Sequence, residues 1–189
     1  MRPQADDYPE HIESALEALV SNGKVAGELV LAEIAYAPRA VPKRRTPPRR
    51  IRCSIFKRDK FYCRYCGGKT ILTNVMGLLA EIYPGIFPFT PNWRRGLTHP
   101  AVISRSPLVD HIKPGSAFGE WLDPENLVTA CNPCNSIKAD LTLEQLGWTL
   151  VEPPDEPWDG LTRYYRPLWE MAGRPAPEYH LGWLQDLES

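Results

Sequence analysis

Two pairs of cysteines, each separated by two residues, constrain this chain more than any other feature: Cys63-Arg64-Tyr65-Cys66 and Cys131-Asn132-Pro133-Cys134. Each turn offers two sulfurs on one side of a tight loop, and two such claws complete a closed tetrahedral metal site with bonds of about 2.3 Å. The claws must then be neighbours whatever the chain does between Gly67 and Ala130. That gap exceeds the roughly 15–20 residues of the common two-claw signature. The longer gap costs little, because loop-closure entropy grows only with the logarithm of length. Structural Zn2+ is the expected occupant of Cys63, Cys66, Cys131 and Cys134, with four buried free cysteines or a redox pair as the alternatives. Four thiolates leave no open coordination position, so such a zinc holds the fold and does no chemistry. Cys53 stands apart and is expected to be a small buried residue.

The surroundings favour metal over disulfides. No stretch approaches the roughly 18 apolar residues of a membrane span, and the N-terminus lacks the apolar run of a signal peptide. The expected setting is cytoplasmic, with no membrane partner, and there thiols stay reduced. The 189 residues suit one domain with terminal extensions, and the 20 prolines, about twice ordinary usage, argue against long helices and for extensive loops.

The net charge of −1 conceals a strong asymmetry. From Arg39 to Lys69 there are twelve Lys or Arg and one acid, Asp59, whereas the chain from Asp140 onward has ten acids against Arg163, Arg166 and Arg174. Nucleic-acid binding answers to the local field rather than to the sum. The basic stretch lies directly before the first claw, which points to phosphate contact over a merely solvated linker. The nucleic-acid-binding candidates are Arg44, Arg45, Arg49, Arg50, Arg52, Lys57, Arg58 and Arg64, with Lys138 beyond the second claw.

The chain divides into a helical N-terminal region (1–37), a basic Pro-rich linker (38–50), a site-bearing domain (51–148) with an insertion at 70–106, and a C-terminal extension (149–189) that packs on the core. Apolar residues recur at helical spacing over 8–21, and 25–36 is a second helical segment. These carry no readable chemistry; packing, homodimerisation or contact with a protein partner is their expected role. A short helix over 51–60 turns Ile55 and Phe56 inward, and 70–83 is again helical and core-forming. The insertion continues as an ordered Pro- and aromatic-rich segment. Strands are expected at 106–112 and 127–130, with a loop over 113–125 between them. Asn132 is a suitable N-cap and Pro133 a suitable first helical residue for a helix reaching about Ala139. Thr142-Leu143-Glu144-Gln145 is a capping box for another, stopped at Gly147.

Between the claws and just after the second lies another chemistry. Cleaving a phosphodiester requires an activated water, countercharge on the phosphate and stabilisation of the leaving oxygen. His111 suits proton abstraction near neutral pH. Asp110 offers a charged oxygen to a hard cation and Asn135 a neutral one. The Asn126 amide could pin the backbone of the preceding loop, and Lys138, one turn after Asn135, could bind phosphate. Neighbouring strand residues face opposite ways, so Asp110 and His111 can serve one centre only at a strand end or bulge.

Together these segments resemble the HNH endonucleases. The residues that carry the resemblance run from Phe56 to Gly67 through Cys63 and Cys66, then Val109-Asp110-His111-Ile112-Lys113-Pro114, then Asn126 through Cys131, Cys134 and Asn135 to Lys138. It covers about residues 51–146, interrupted between Lys69 and Ser106. It implies an α+β fold, a small ββα-metal core stapled by the four-cysteine zinc site. Its roles fall on His111 as general base, Asp110 and Asn135 as ligands of a catalytic cation, and Asn126 as the loop-holding residue. Many members carry His where this chain has Asn135, and several carry Asn; that donor set suits Mg2+ or Mn2+ better than a transition metal. The resemblance implies a DNA endonuclease, double-stranded DNA being the expected partner. The alternatives are a non-catalytic zinc-stabilised nucleic-acid-binding module, or a nuclease subunit active only with a partner.

Overall fold

The computed structural model describes residues 8–34, 46–115 and 120–189, and the chain divides into two compact units, Met1–Val41 and Pro42–Ser189. Lys43, Arg44, Arg45 and the linker prolines Pro38 and Pro42 lie outside the described residues.

The first unit is a helical hairpin. Helix α1 (Tyr8–Asn22) turns at Gly23, with φ of 85°, into α2 (Lys24–Leu31), which tightens to a 3-10 turn at Ala32–Ile34. The helices cross closely because Gly27 lacks a side chain: a Cβ there would lie 2.8 Å from that of Leu19. Ala15 is buried, while Leu16, Val20, Val25 and Leu29 stay exposed.

The second unit opens with α3 (Arg49–Arg58), so Arg49 and Arg50, expected in the linker, are helical. Pro48, at φ −50° and ψ 150°, stands at the N-cap, and the arginines that follow are good helix formers. Cys53, Ile55 and Phe56 face inward. The first core gathers Cys53, Phe56 and Phe61 with Leu72, Val75 and Leu78, the latter two from α4 (Thr73–Ile82). It is closed by Tyr165 and Trp169 of α8 (Tyr165–Met171) and Trp183 and Leu184 of α9 (Pro177–Glu188). The aromatic tail therefore builds much of this core. Inside it Asn74 donates to the Tyr165 hydroxyl at 2.8 Å, which meets His180 Nδ1 at 2.8 Å.

The site-bearing part is a strand, strand, helix unit. β1 (Pro107–His111) pairs antiparallel with β2 (Leu127–Cys131) from Pro107↔Cys131 to His111↔Leu127, and α6 (Asn132–Lys138) packs on both strands. The fold is thus α+β with a ββα core. α5 (Pro100–Arg105) packs against α6, where Asn132 Nδ2 donates to the Ile103 carbonyl at 3.0 Å. This contact redirects the Asn132 amide: Cys131 occupies the N-cap, Asn132 is the first helical residue, and the helix ends at Lys138. Thr142 and Gln145 form the expected reciprocal capping box on α7 (Leu143–Leu146), ended by Gly147 at φ 65°. A second small core of Cys63, Tyr65, Val128, Ala130 and Cys131 joins β2 to the first claw.

Asp59, fully buried at the end of α3, ties these parts together. It accepts from the Thr129 amide of β2 at 2.7 Å, from Arg58 Nε at 2.9 Å and from Arg64 Nη1 at 3.2 Å.

Candidate functional site

The claws meet. The sulfurs of Cys63, Cys66, Cys131 and Cys134 all lie within 4.8 Å of one another, and those of Cys66 and Cys131 are 3.9 Å apart. A tetrahedron with metal–sulfur bonds of about 2.3 Å has edges of about 3.8 Å, so the donor set fits zinc. The first claw is shaped by its backbone: the Gly67 amide donates to the Cys63 carbonyl at 2.8 Å and the Cys63 amide to the Gly68 carbonyl at 2.9 Å. Gly67 adopts a φ of 70°, and a Cβ on Gly68 would lie 2.9 Å from the Arg105 guanidinium. Burial, followed by the neighbouring Cys63, pushes the Cys134 thiol up to about 12. A divalent cation among the sulfurs would supply the charge that favours the Cys134 thiolate. The cluster is compatible with structural zinc. Cys53 sits apart in the first core, where burial raises its thiol to about 11.

Asp110 and His111 end β1 in regular register, opposite Val128 and Leu127, with no bulge between them. Asp110 is largely enclosed, with a side chain 13% exposed. Its Oδ2 accepts from the Tyr65 hydroxyl at 2.7 Å and lies 3.3 Å from Lys138 Nζ. Burial first, then the charge of Asp110, pushes the Tyr65 phenol far above its usual range, which keeps it a donor. The Lys138 ammonium is fully buried, and the contact with Asp110 is an ion pair without hydrogen-bond alignment. In this arrangement Lys138 faces Asp110 rather than solvent, unlike the phosphate-binding role expected from sequence. Asn135 is half-buried one turn earlier on α6.

His111 Nε2 lies 3.1 Å from the Trp121 carbonyl, and the two rings meet edge-on at 4.6 Å. A carbonyl only accepts, so this contact puts the hydrogen on Nε2 and leaves the Nδ1 lone pair available. Gly115 makes room for the indole: a Cβ there would lie 3.0 Å from it. Asn126 ties the connecting loop together. Its Oδ1 accepts from the Lys113 amide at 2.8 Å, and its Nδ2 donates to the carbonyls of Lys113 at 3.0 Å and Glu120 at 2.9 Å.

Most of the basic candidates are engaged within the protein. Arg49 pairs with Asp186 at 2.6 Å, Arg52 lies over the Trp183 ring at 4.9 Å, and Lys57 donates to the Leu187 carbonyl at 3.2 Å. Arg58 holds Asp59 and the carbonyls of Pro124 and Leu127, while Arg64 holds Asp59, Glu152 and the Val151 carbonyl. Arg50 remains exposed on α3.

Tyr65, Trp121 and Asp59 belong to this assembly although no sequence expectation assigned them to it. Tyr65 stood between two cysteines already singled out, and Asp59 was the lone acid of a basic stretch; both were available signals. Trp121 meets His111 with its ring and its carbonyl, and a carbonyl leaves no trace in residue type.

Residues 100–141 match the family model described as HNH endonuclease. No curated protein and no solved structure matches the chain. The matched segment holds α5, both strands, Asp110, His111, Asn126, the second claw and α6. It supports a nuclease-like function in general. Among the described residues no helix is long and apolar enough to cross a membrane.

Proposed function

We propose that this protein is a metal-dependent endonuclease that hydrolyses phosphodiester bonds in double-stranded DNA, leaving 5′-phosphate and 3′-hydroxyl ends. The observation that carries the reading is the placement of His111. It stands at the end of β1 beside the enclosed Asp110, with Nε2 turned to the Trp121 carbonyl at 3.1 Å.

His111 takes the proton of the attacking water on Nδ1. The Trp121 carbonyl fixes the tautomer and favours the imidazolium that forms, as an acceptor at the far nitrogen does in other histidine bases. Asn126 bonds the backbone of Lys113 and of Glu120, the residue before Trp121, and so helps to hold this carbonyl at His111. Asp110 presents the oxygen not used by Tyr65 and Lys138, and Asn135 on α6 offers a neutral amide oxygen. These two would hold a Mg2+ or Mn2+ ion, whose charge when bound offsets that of the phosphate and of the leaving oxygen. The four cysteines hold a structural zinc that fixes the first claw against β2 and α6. Arg50, with Arg44 and Arg45, would contact the DNA backbone, positioning it without reading sequence.

The test is incubation of zinc-loaded protein with supercoiled plasmid. Nicking or linearisation with added Mg2+ or Mn2+, absent in metal-free buffer, is expected. Absence of cleavage with either ion on modified and unmodified DNA, alongside retained DNA binding, would favour a non-catalytic zinc module instead.

A further inference from the structure

We propose that Tyr65 is a positioning residue for the Asp110 site, and that the first cysteine claw therefore orients the catalytic carboxylate as well as stapling the fold. The inference rests on the reading of Asp110 as a ligand of the catalytic cation.

Tyr65 is one of the two residues between Cys63 and Cys66, so its backbone is fixed by the turn that presents both sulfurs. Its ring is buried in the second core and packs on Trp148 at 5.5 Å between centroids. Held by ring and backbone, the hydroxyl donates to Asp110 Oδ2 at 2.7 Å. That length is typical of an O–H group donating to a charged oxygen, the stronger class of hydrogen bond. Lys138 approaches the same oxygen at 3.3 Å from the opposite element, α6. With Oδ2 committed to both, Oδ1 is the atom left to face a cation, and the carboxylate is set to bind through one oxygen. A carboxylate free to rotate would lose that preorganisation on each encounter with the ion. The hydroxyl contributes nothing else in view: the Tyr65 ring supplies the packing and the claw supplies the backbone.

Tyr65→Phe removes one atom and keeps the ring on Trp148. The experiment measures Mn2+ binding to zinc-loaded protein by electron paramagnetic resonance, with Asp110→Asn as the reference for a lost ligand and zinc content and Tm recorded for each variant. Mn2+ affinity is expected to fall on the order of 10-fold in Tyr65→Phe, the scale of a hydrogen bond to a charged group, with zinc stoichiometry unchanged. Plasmid cleavage by this variant should recover in part at raised Mn2+, a response that lost stability alone would not give. If the parent binds Mn2+, Asp110→Asn does not, and Tyr65→Phe binds as the parent does, the positioning role is overturned while the nuclease reading stands. A Phe variant that sheds zinc assigns the hydroxyl to structure and also overturns it. If parent and Asp110→Asn bind Mn2+ equally, Asp110 is no ligand, and the underlying reading falls together with the inference.

Discussion

Asn126→Ala removes the side chain that closes the loop between β1 and β2 while leaving His111, Asp110 and the cysteines in place. Three hydrogen bonds are lost, at 2.8, 3.0 and 2.9 Å, to Lys113 twice and Glu120 once. Each is worth about 0.5–1.5 kcal/mol net, and their solvent access favours the lower half of that range, giving about 1.5–3 kcal/mol together. If that energy holds the Trp121 carbonyl on His111 in the transition state, turnover falls about 10- to 100-fold, since about 1.4 kcal/mol is a factor of ten. The assay is single-turnover plasmid nicking at saturating protein, with DNA affinity measured separately by filter binding. Affinity should stay within about threefold, because on this account Asn126 acts on the loop that positions His111 rather than on DNA contacts. Asn126→Asp keeps the acceptor for the Lys113 amide but turns a carboxylate toward two carbonyls, so it should do no better than alanine. An alanine variant with the parent's turnover, or an aspartate variant that restores it, would refute the loop-holding account.

Metal analysis should find about one zinc per chain. Because thiols must be deprotonated to bind, zinc should be held at neutral pH and released as pH falls, with Cys131→Ser losing it first; the check is a chelating dye read across pH. Asp59→Ala strands the Thr129 amide and two arginines. Breaking a buried pair costs about 3–5 kcal/mol, and the partial exposure of Arg58 lowers this to about 2–4. Calorimetry should show a Tm lower by about 5–15 °C, and Asp59→Asn should cost less. Burial lowers the His180 pKa from its usual 6.5, so the unfolded chain takes up its proton first. Stability should therefore decline as pH falls from about 7 toward 5, and urea titrations of His180→Phe should lack that component.

The ββα core was legible because its signals are local. The β1 and β2 patterns, the Asp110-His111 pair and the second claw sit within one short stretch, and the Thr142–Gln145 capping box carries its own chemistry. What escaped depends on distant partners. Lys138 lies on a short helix and reads as a surface cation, yet the antiparallel register brings Asp110 to it. Arg49, Arg52, Lys57, Arg58 and Arg64 read as a DNA-binding run, but the sequence does not say that Asp59, Asp186, Trp183 and the carbonyls of Pro124, Leu127, Val151 and Leu187 would receive them. A long basic side chain beside a folding core is as readily a tether as a phosphate ligand. Asn132 has the right chemistry for an N-cap, but α5, which no pattern placed beside α6, claims its amide.

The role of His111 as general base is tested by comparing His111→Ala with the parent in Mg2+- or Mn2+-dependent plasmid cleavage, with zinc content, Tm and DNA affinity matched. Cleavage should slow by about 10²–10⁴-fold, the range for a missing general base, with binding and folding nearly unchanged. Cleavage by His111→Ala at the parent's rate would contradict it.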